Sequence, residues 1–193
     1  MDKINTSIFS NYSVWLDAVK GDKKTFDELK SIENDEKEIT DRFYCDLKFG
    51  TGGLRGKLGA GTNRMNVYVV SRATRGLAAY IKETFGEKSS IAIAYDSRNM
   101  SKEFAFLAAD IMSEYGVKTY IFDKITPTPV LSFAVRRLNA SAGIVITASH
   151  NPKEYNGYKV YNEKGCQITD EAAKTILCKI EQSEYFGEIK ANN

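Results

Sequence analysis

The sequence predicts an α/β fold, a mixed β-sheet layered between α-helices, and three observations carry the prediction. From Phe49 onward, short apolar runs alternate with stretches of helical periodicity, the pattern of a sheet covered by helices. Two of the runs, Ile91-Ala92-Ile93-Ala94-Tyr95 and Ile144-Val145-Ile146, read as buried strands. A further strand, Tyr158 to Tyr161, follows so soon after Ile146 that the two are antiparallel, because a parallel crossover needs a dozen or more residues.

The elements follow in order. Residues 1–44 form a helical leader, with amphipathic segments Val14-Trp15-Leu16 to Val19 and Ile39 to Tyr44 separated by Gly21-Asp22 and Asn34-Asp35. The leader is expected to pack on the outside of a domain spanning residues 45–193. Glu33 to Lys37 reads as a solvated helix start, since acids favour the first turn. A helix covers about Asn66 to Thr84 and leads to the Ile91 strand. In the next helix Phe104, Leu107, Ala108, Ile111 and Tyr115 share one face. A short strand, Thr119-Tyr120-Ile121-Phe122, precedes a helix announced by Thr126-Pro127, a cap residue followed by proline at the first helical position. That helix ends near Arg137-Leu138-Asn139, and the Ile144 strand follows it. After the Tyr158 strand, a last helix from Asp170 to about Tyr185 turns Ala173, Ile176, Leu177 and Ile180 inward, and Lys190-Ala191-Asn192-Asn193 fray.

Composition narrows the function classes. The chain has 193 residues, 42% of them hydrophobic and 27% charged, which is ordinary for a soluble domain with a core and argues against disorder. The net charge of +2, with bases interleaved among acids, gives no reason to expect nucleic acid as a partner. No apolar run approaches the roughly 20 residues of a membrane helix, so no membrane partner is expected. Met1 to Ser13 lacks the basic and apolar regions of a secretory leader. Cys45, Cys166 and Cys178, odd in number and without metal-like spacing, read as reduced thiols of a cytoplasmic protein.

Two strings carry chemistry. Ala148-Ser149-His150-Asn151-Pro152, holding the one histidine of the chain, sits past the carboxyl end of the Ile144 strand, the edge at which open α/β sheets bind ligands. It is followed by Asn156-Gly157-Tyr158-Lys159. A hydroxyl there, with histidine and lysine beside it, suits proton movement and the balancing of anionic charge. Each residue taken singly fits a plain turn in which Ser, His and Asn bond their own backbone. The second string, Phe49-Gly50-Thr51-Gly52-Gly53-Leu54-Arg55-Gly56, is a glycine-rich loop whose backbone can approach a ligand closely. It is neither a Walker motif nor the dinucleotide fingerprint. Arg55 within it suits a phosphoryl group through paired hydrogen bonds.

Together the strings resemble the α-D-phosphohexomutases, the phosphoglucomutase and phosphomannomutase family, whose first domain bears a phosphoserine loop and a glycine-rich signature in this order. Asp41-Arg42-Phe43-Tyr44 and Gly61-Thr62-Asn63-Arg64-Met65-Asn66 are similar to the longer phosphoglucomutase branch, which includes enzymes acting on phosphopentoses. The resemblance implies that Ser149 carries a phosphoryl group, donates it to a sugar monophosphate and recovers the other phosphate of the resulting bisphosphate. It implies that Arg55 and Lys159 stabilise the transferring group, with Lys159 or His150 moving the proton. Thr51, Gly52, Gly53, Arg55 and Asn151 would bind substrate or phosphate, and Asp96 and Arg98 would brace the serine loop as an ion pair. The implied cofactors are Mg²⁺, with a phosphate oxygen on Ser149 as one ligand, and glucose 1,6-bisphosphate or a similar sugar bisphosphate as activator.

The chain also departs from the family. It holds no Asp-Gly-Asp-type string, no Glu-rich sugar loop and no late Ser-Gly-Thr-type loop, so it matches the first of the family's four domains. The expectation is a phosphosugar mutase domain, inactive alone, whose partners are the phosphosugar substrate and the remaining domains. The rival readings are a non-catalytic phosphosugar-binding module and a nucleotide-binding α/β domain.

Overall fold

The structure is a computed structural model and describes residues 3–187, so the Lys190 to Asn193 reading lies outside the described residues. Three helices come first, α1 (Lys3–Ala18), α2 (Lys23–Ser31) and α3 (Glu36–Phe43). The breakers between them act as caps. Asp22 accepts from Thr25 N and Thr25 Oγ1 at 3.2 and 2.6 Å, and Asp35 accepts from Lys37 N and Glu38 N, each at 3.1 Å. Then follow β1 (Leu54–Lys57), α4 (Val67–Phe85), β2 (Ser90–Tyr95), α5 (Ser101–Glu114), β3 (Lys118–Ile121), α6 (Thr128–Arg137), β4 (Ala142–Ile146), β5 (Tyr155–Asn162) and α7 (Asp170–Glu181).

The strands form one mixed sheet in the order β1-β5-β4-β2-β3. β2 pairs parallel with β3 and β4, while β5 runs antiparallel to both β4 and β1, as the short Ile146-to-Tyr158 connection requires. Register sets Ile146 opposite Tyr158 and Arg55 opposite Gly157.

Alternation along the strands divides the core in two. Ile91, Ile93, Tyr95, Ile144, Ile146, Tyr158 and Val160 face the larger part, with α4, α5, α7 and the leader. Ala92, Ala94, Val145 and Tyr161 face a smaller part with Leu131 and Val135 of α6. The leader packs through Ile8, Tyr12, Trp15, Leu29, Ile39 and Phe43, which belong to the same continuous cluster as α4 and the sheet. Trp15, 2% exposed, meets Phe43, Tyr68, Tyr185 and Phe186 at centroid distances of 5.2–5.9 Å.

Three local readings change. Leu54–Lys57, read as loop, is a strand that pairs with β5. Thr126 does not cap α6, which begins at Thr128, because its hydroxyl donates back to Lys124 O at 2.9 Å. The last helix stops at Glu181, not near Tyr185. Arg72 donates to Ile180 O and Ser183 O at 3.1 and 2.8 Å, and the chain beyond turns back so that Tyr185 and Phe186 lie on Trp15.

Two predictions follow from this packing. Trp15→Ala should cost about 3–5 kcal/mol, the range for truncating a buried large aromatic, read as a lower urea midpoint by circular dichroism. Burial holds Tyr158 and Tyr185 protonated well above the ordinary phenol value. Burial, and then the bond to Asp22, push Tyr68 up to about 12. Unfolded tyrosines ionise near ~10, so stability should be intact below that pH and fall as pH rises above it. Tyr158→Phe should make that alkaline fall shallower in urea unfolding series at stepped pH.

Candidate functional site

β4 delivers the chain to a loop, residues 147–154, that returns it to β5. Thr147 N donates to Gly157 O at 2.9 Å, extending the ladder by one bond, and Thr147 Oγ1 accepts from Ser149 N at 2.9 Å. Asn151 N donates to Ala148 O at 3.1 Å, closing a tight turn with Ser149 at φ 56°. That left-handed conformation costs an L-residue roughly 1–2 kcal/mol. It places Ser149 and His150 side by side on the surface, both exposed. Ser149 Oγ lies 3.4 Å from His150 Nδ1, within reach of it but long for a hydrogen bond.

Arg98 holds this turn. Its Nη1 donates to Pro152 O and Tyr155 O at 2.9 and 3.1 Å, and its Nη2 to Ser149 O and Asn151 O at 2.7 and 2.6 Å. The ion pair with Asp96 is the looser contact, at 3.5 Å. Asp96 Oδ1 instead accepts from Arg98 N at 2.9 Å and Ser101 Oγ at 2.6 Å. Behind them Asn156, fully buried, donates to Asn99 O and Ser101 Oγ, each at 2.9 Å, and accepts from Gly157 N at 2.7 Å. The bracing expected of Asp96 and Arg98 therefore works mainly through backbone carbonyls. Ser101 and Asn156 complete it, and sequence reasoning gives neither a role. The signal available is the Asn-Gly pair opening a strand, a polar side chain where an apolar one is usual.

The glycine-rich string forms the other wall. Gly50 and Gly53 exchange backbone hydrogen bonds across the Thr51-Gly52 turn, at 2.7 and 3.1 Å. Gly53 has φ 80°, and a Cβ there would overlap Tyr158 O, so this turn lies directly on β5 only because the residue is glycine. Arg55, on β1, donates to Asn151 Oδ1 of the serine loop at 3.2 Å. Arg55 and Lys159 line a cleft of about 560 Å³ with Lys48, Thr51, Gly52, Gly53, Thr147 and Gln167. The structure thus gathers Thr51, Gly52, Gly53, Arg55 and Lys159 on the cleft and joins them to Ser149, His150 and Asn151 through the Arg55–Asn151 bond. Asp96 and Arg98 stand behind the turn.

The donor set does not make a metal site. Among the described residues no three His, Cys, Asp or Glu side chains converge, and the Asp96 carboxylate is already occupied by Arg98 and Ser101. No helix among them is long and apolar enough to cross a membrane.

Comparison with known proteins gives the family and the fold. Residues 46–186 match the family model described as phosphoglucomutase/phosphomannomutase, alpha/beta/alpha domain I. A phosphoglucomutase of Staphylococcus haemolyticus is 47% identical over 134 residues, covering 69% of this chain and 24% of the relative. One of Staphylococcus epidermidis is 39% identical over 168 residues, covering 87% and 30%. The chain therefore spans less than a third of the length of these curated relatives. Among solved structures, a Thermus thermophilus protein described as a "putative phosphomannomutase" superposes with a TM-score of 0.67 at 30% identity, over 72% of this chain and 31% of that one. A phosphoglucomutase/phosphomannomutase family protein from Burkholderia thailandensis gives 0.59 at 26% identity, over 70% and 30%.

The Arg98 geometry generates a prediction. Lysine offers its donors from a single point and cannot serve four carbonyls in two pairs. Arg98→Lys should raise amide hydrogen exchange at Asn151 and Tyr155 about tenfold or more, corresponding to ~1.4 kcal/mol or more of local stability, while β2 and β4 keep their protection.

Proposed function

Because the chain belongs to the phosphoglucomutase/phosphomannomutase family, we propose that it is the phosphoserine-bearing part of a phosphosugar mutase. The observation that carries the reading is Ser149 itself. A non-glycine residue is held at positive φ, its carbonyl is bound by Arg98, and its hydroxyl is exposed in a loop bonded to a cation-lined cleft. Strained, over-determined backbone of this kind clusters at reacting groups.

In the proposed cycle the phosphoryl group on Ser149 Oγ passes to a hydroxyl of a sugar monophosphate. The P–O bond to serine breaks as the bond to the sugar oxygen forms, the proton of the sugar hydroxyl is relayed through Lys159 or His150, and Ser149 Oγ takes up a proton as it leaves. The sugar bisphosphate then returns its other phosphate to Ser149. A phosphoserine carries about −1.5 to −2 charge near neutral pH, so its transfer depends on positioned cations. Arg55, anchored on β1 and steadied by Asn151, and Lys159 on β5 supply them. Glucose 1-phosphate is the first substrate to try and glucose 1,6-bisphosphate the first phosphoryl donor. Mg²⁺ belongs to the proposal as a neutraliser of phosphoryl charge. It prefers six oxygen ligands, so its site would need ligands beyond those gathered by the described residues.

The test is phosphorylation of Ser149. Incubating the chain, extended through the remaining domains and supplied with Mg²⁺, with glucose 1,6-bisphosphate should add one phosphoryl mass, mapped to Ser149 by peptide mass spectrometry and absent in Ser149→Ala. Arg55→Ala should slow the labelling about 10²-fold, the usual loss on removing one transition-state donor. Conversion of glucose 1-phosphate to glucose 6-phosphate by the 193-residue chain alone should be negligible. Binding of phosphosugar with no transfer to Ser149 would overturn the mutase reading in favour of a non-catalytic binding module.

A further inference from the structure

Beyond α7 the chain does not simply trail away, because two arginines of α4 hold its backbone. Arg72 Nε donates to Ile180 O and Ser183 O at 3.1 and 2.8 Å, and its Nη1 donates to Asp46 Oδ2 at 2.6 Å. Its guanidinium stands 4.3 Å from the centre of the Tyr185 ring. Arg75, three residues on and therefore a neighbour on the helix surface, donates through Nη2 to Glu184 O and Tyr185 O. The pair thus serves four carbonyls, those of Ile180, Ser183, Glu184 and Tyr185. Gly76 lets the end of α7 come this close, since a Cβ there would meet Ile180 N at 2.7 Å. Tyr185 and Phe186 are laid on Trp15, each at a centroid distance of 5.2 Å.

The use of arginine here points to direction rather than stability. Arg75 is half-buried, and burial holds its guanidinium below the ordinary arginine value. Among the described residues its Nη1 is one of two buried side-chain polar atoms without a partner, the other being Glu114 Oε1. An apolar side chain would fill the position without leaving a buried donor unmet, so what the guanidinium adds is a fixed path for residues 183–187. The same turn of α4 reaches the sheet. The hydroxyls of Thr74 and Tyr158 are hydrogen-bonded at 3.1 Å, and Tyr158 sits on β5 between Lys159 and Gly157, whose carbonyl takes the Thr147 N–H at the root of the serine loop. One turn of helix therefore holds both the strand that flanks the serine loop and the segment in which the family match ends, at residue 186. Matches covering 24% and 30% of the curated relatives leave more than two thirds of each outside the part compared. A segment of fixed direction at the edge of this domain bears on where such a remainder would sit.

We propose that Arg72 and Arg75 are positioning residues: by gripping the backbone of residues 180–185 they set the direction in which the chain leaves this domain, and with it the placement of the following domains against Ser149. The proposal rests on the mutase reading for the existence of those domains, and its test separates the two. Arg75→Leu keeps apolar bulk and removes the grip, whereas Arg75→Lys keeps a donor, since a single nitrogen serves both carbonyls. Trp15 is the one tryptophan of the chain, so its fluorescence reports whether the segment is docked. In the 193-residue chain Arg75→Leu should raise acrylamide quenching of Trp15 about twofold or more, as local opening exposes the ring, and Arg75→Lys should not. In the chain extended through the remaining domains, with Mg²⁺ and glucose 1,6-bisphosphate, Arg75→Leu should lower kcat for glucose 1-phosphate about tenfold, the loss when the competent placement is populated about one part in ten. The radius of gyration by small-angle scattering should rise with it, and Arg75→Lys should restore both. Should Arg75→Leu not fold, Arg72→Lys carries the same expectations, because it keeps a charge for Asp46 and cannot also serve two carbonyls. A merely structural arginine would lower the urea midpoint and leave kcat and scattering of the folded enzyme as they were. That result overturns the proposal, and so does unchanged Trp15 quenching in Arg75→Leu, which would show the segment held without the arginine. If the unsubstituted extended chain has no turnover, the mutase reading fails and scattering alone decides the positioning role. If it turns over and Arg75→Leu matches it, the mutase reading stands and the positioning role falls.

Discussion

A chain that leaves a buried parallel strand, turns through a left-handed residue and enters an antiparallel strand within a few residues strands several backbone carbonyls with no ladder partner. Left to water, such carbonyls would not fix the path of the loop. In this protein four of them, from Ser149, Asn151, Pro152 and Tyr155, converge on one guanidinium, that of Arg98. Arginine suits the position because its donors lie in a rigid plane and serve two directions at once. The orientation of Ser149, and with it the relation of Arg55 to the loop, depends on that convergence. The Asn156–Ser101–Asp96 chain fixes Arg98 in turn by tying it to the start of α5 and the first residues of β5.

The second determinant is the unequal covering of the sheet. One face meets the leader, α4, α5 and α7 in a continuous core, and the other meets α6, a ten-residue helix over β2 and β4. Where α6 does not reach, the face carries Arg55 and Lys159, side chains that would be costly under a helix. The cleft is thus the uncovered part of an otherwise two-sided sheet. It opens where the serine loop begins because Thr147, the residue after β4, lies opposite Gly157 and contributes to the lining.

Much of the architecture could be read along the chain because its causes are local. The apolar runs of β2 and β4, the breaks at Gly21-Asp22 and Asn34-Asp35, and the helical spacing of Phe104, Ala108 and Ile111 all act within a few residues. β1 could not be read so. Leu54-Arg55-Gly56-Lys57 has none of the β-branched residues that mark a strand, and it is extended because β5 offers it an edge. The end of α7 was hidden for a similar reason: the helix yields to Arg72, which lies more than a hundred residues earlier in the sequence. At the site, Ser149, His150, Arg55 and Lys159 were identifiable from their motifs. The buried Asn156 and the half-buried Arg75 acquire significance only from what surrounds them.

The sequence by itself determined the order and type of most elements, the antiparallel turn of β5 and the two motif strings, since each depends on side-chain chemistry or on the length of a connection. Tertiary structure alone decided that Arg55 lies in a strand opposite Gly157, that Arg98 serves carbonyls more than Asp96, and that three cations share one cleft without a carboxylate. Those facts depend on which strands become neighbours and which face a helix leaves bare. Both are set by the burial of apolar surface over the whole chain, a quantity that no local stretch of sequence contains.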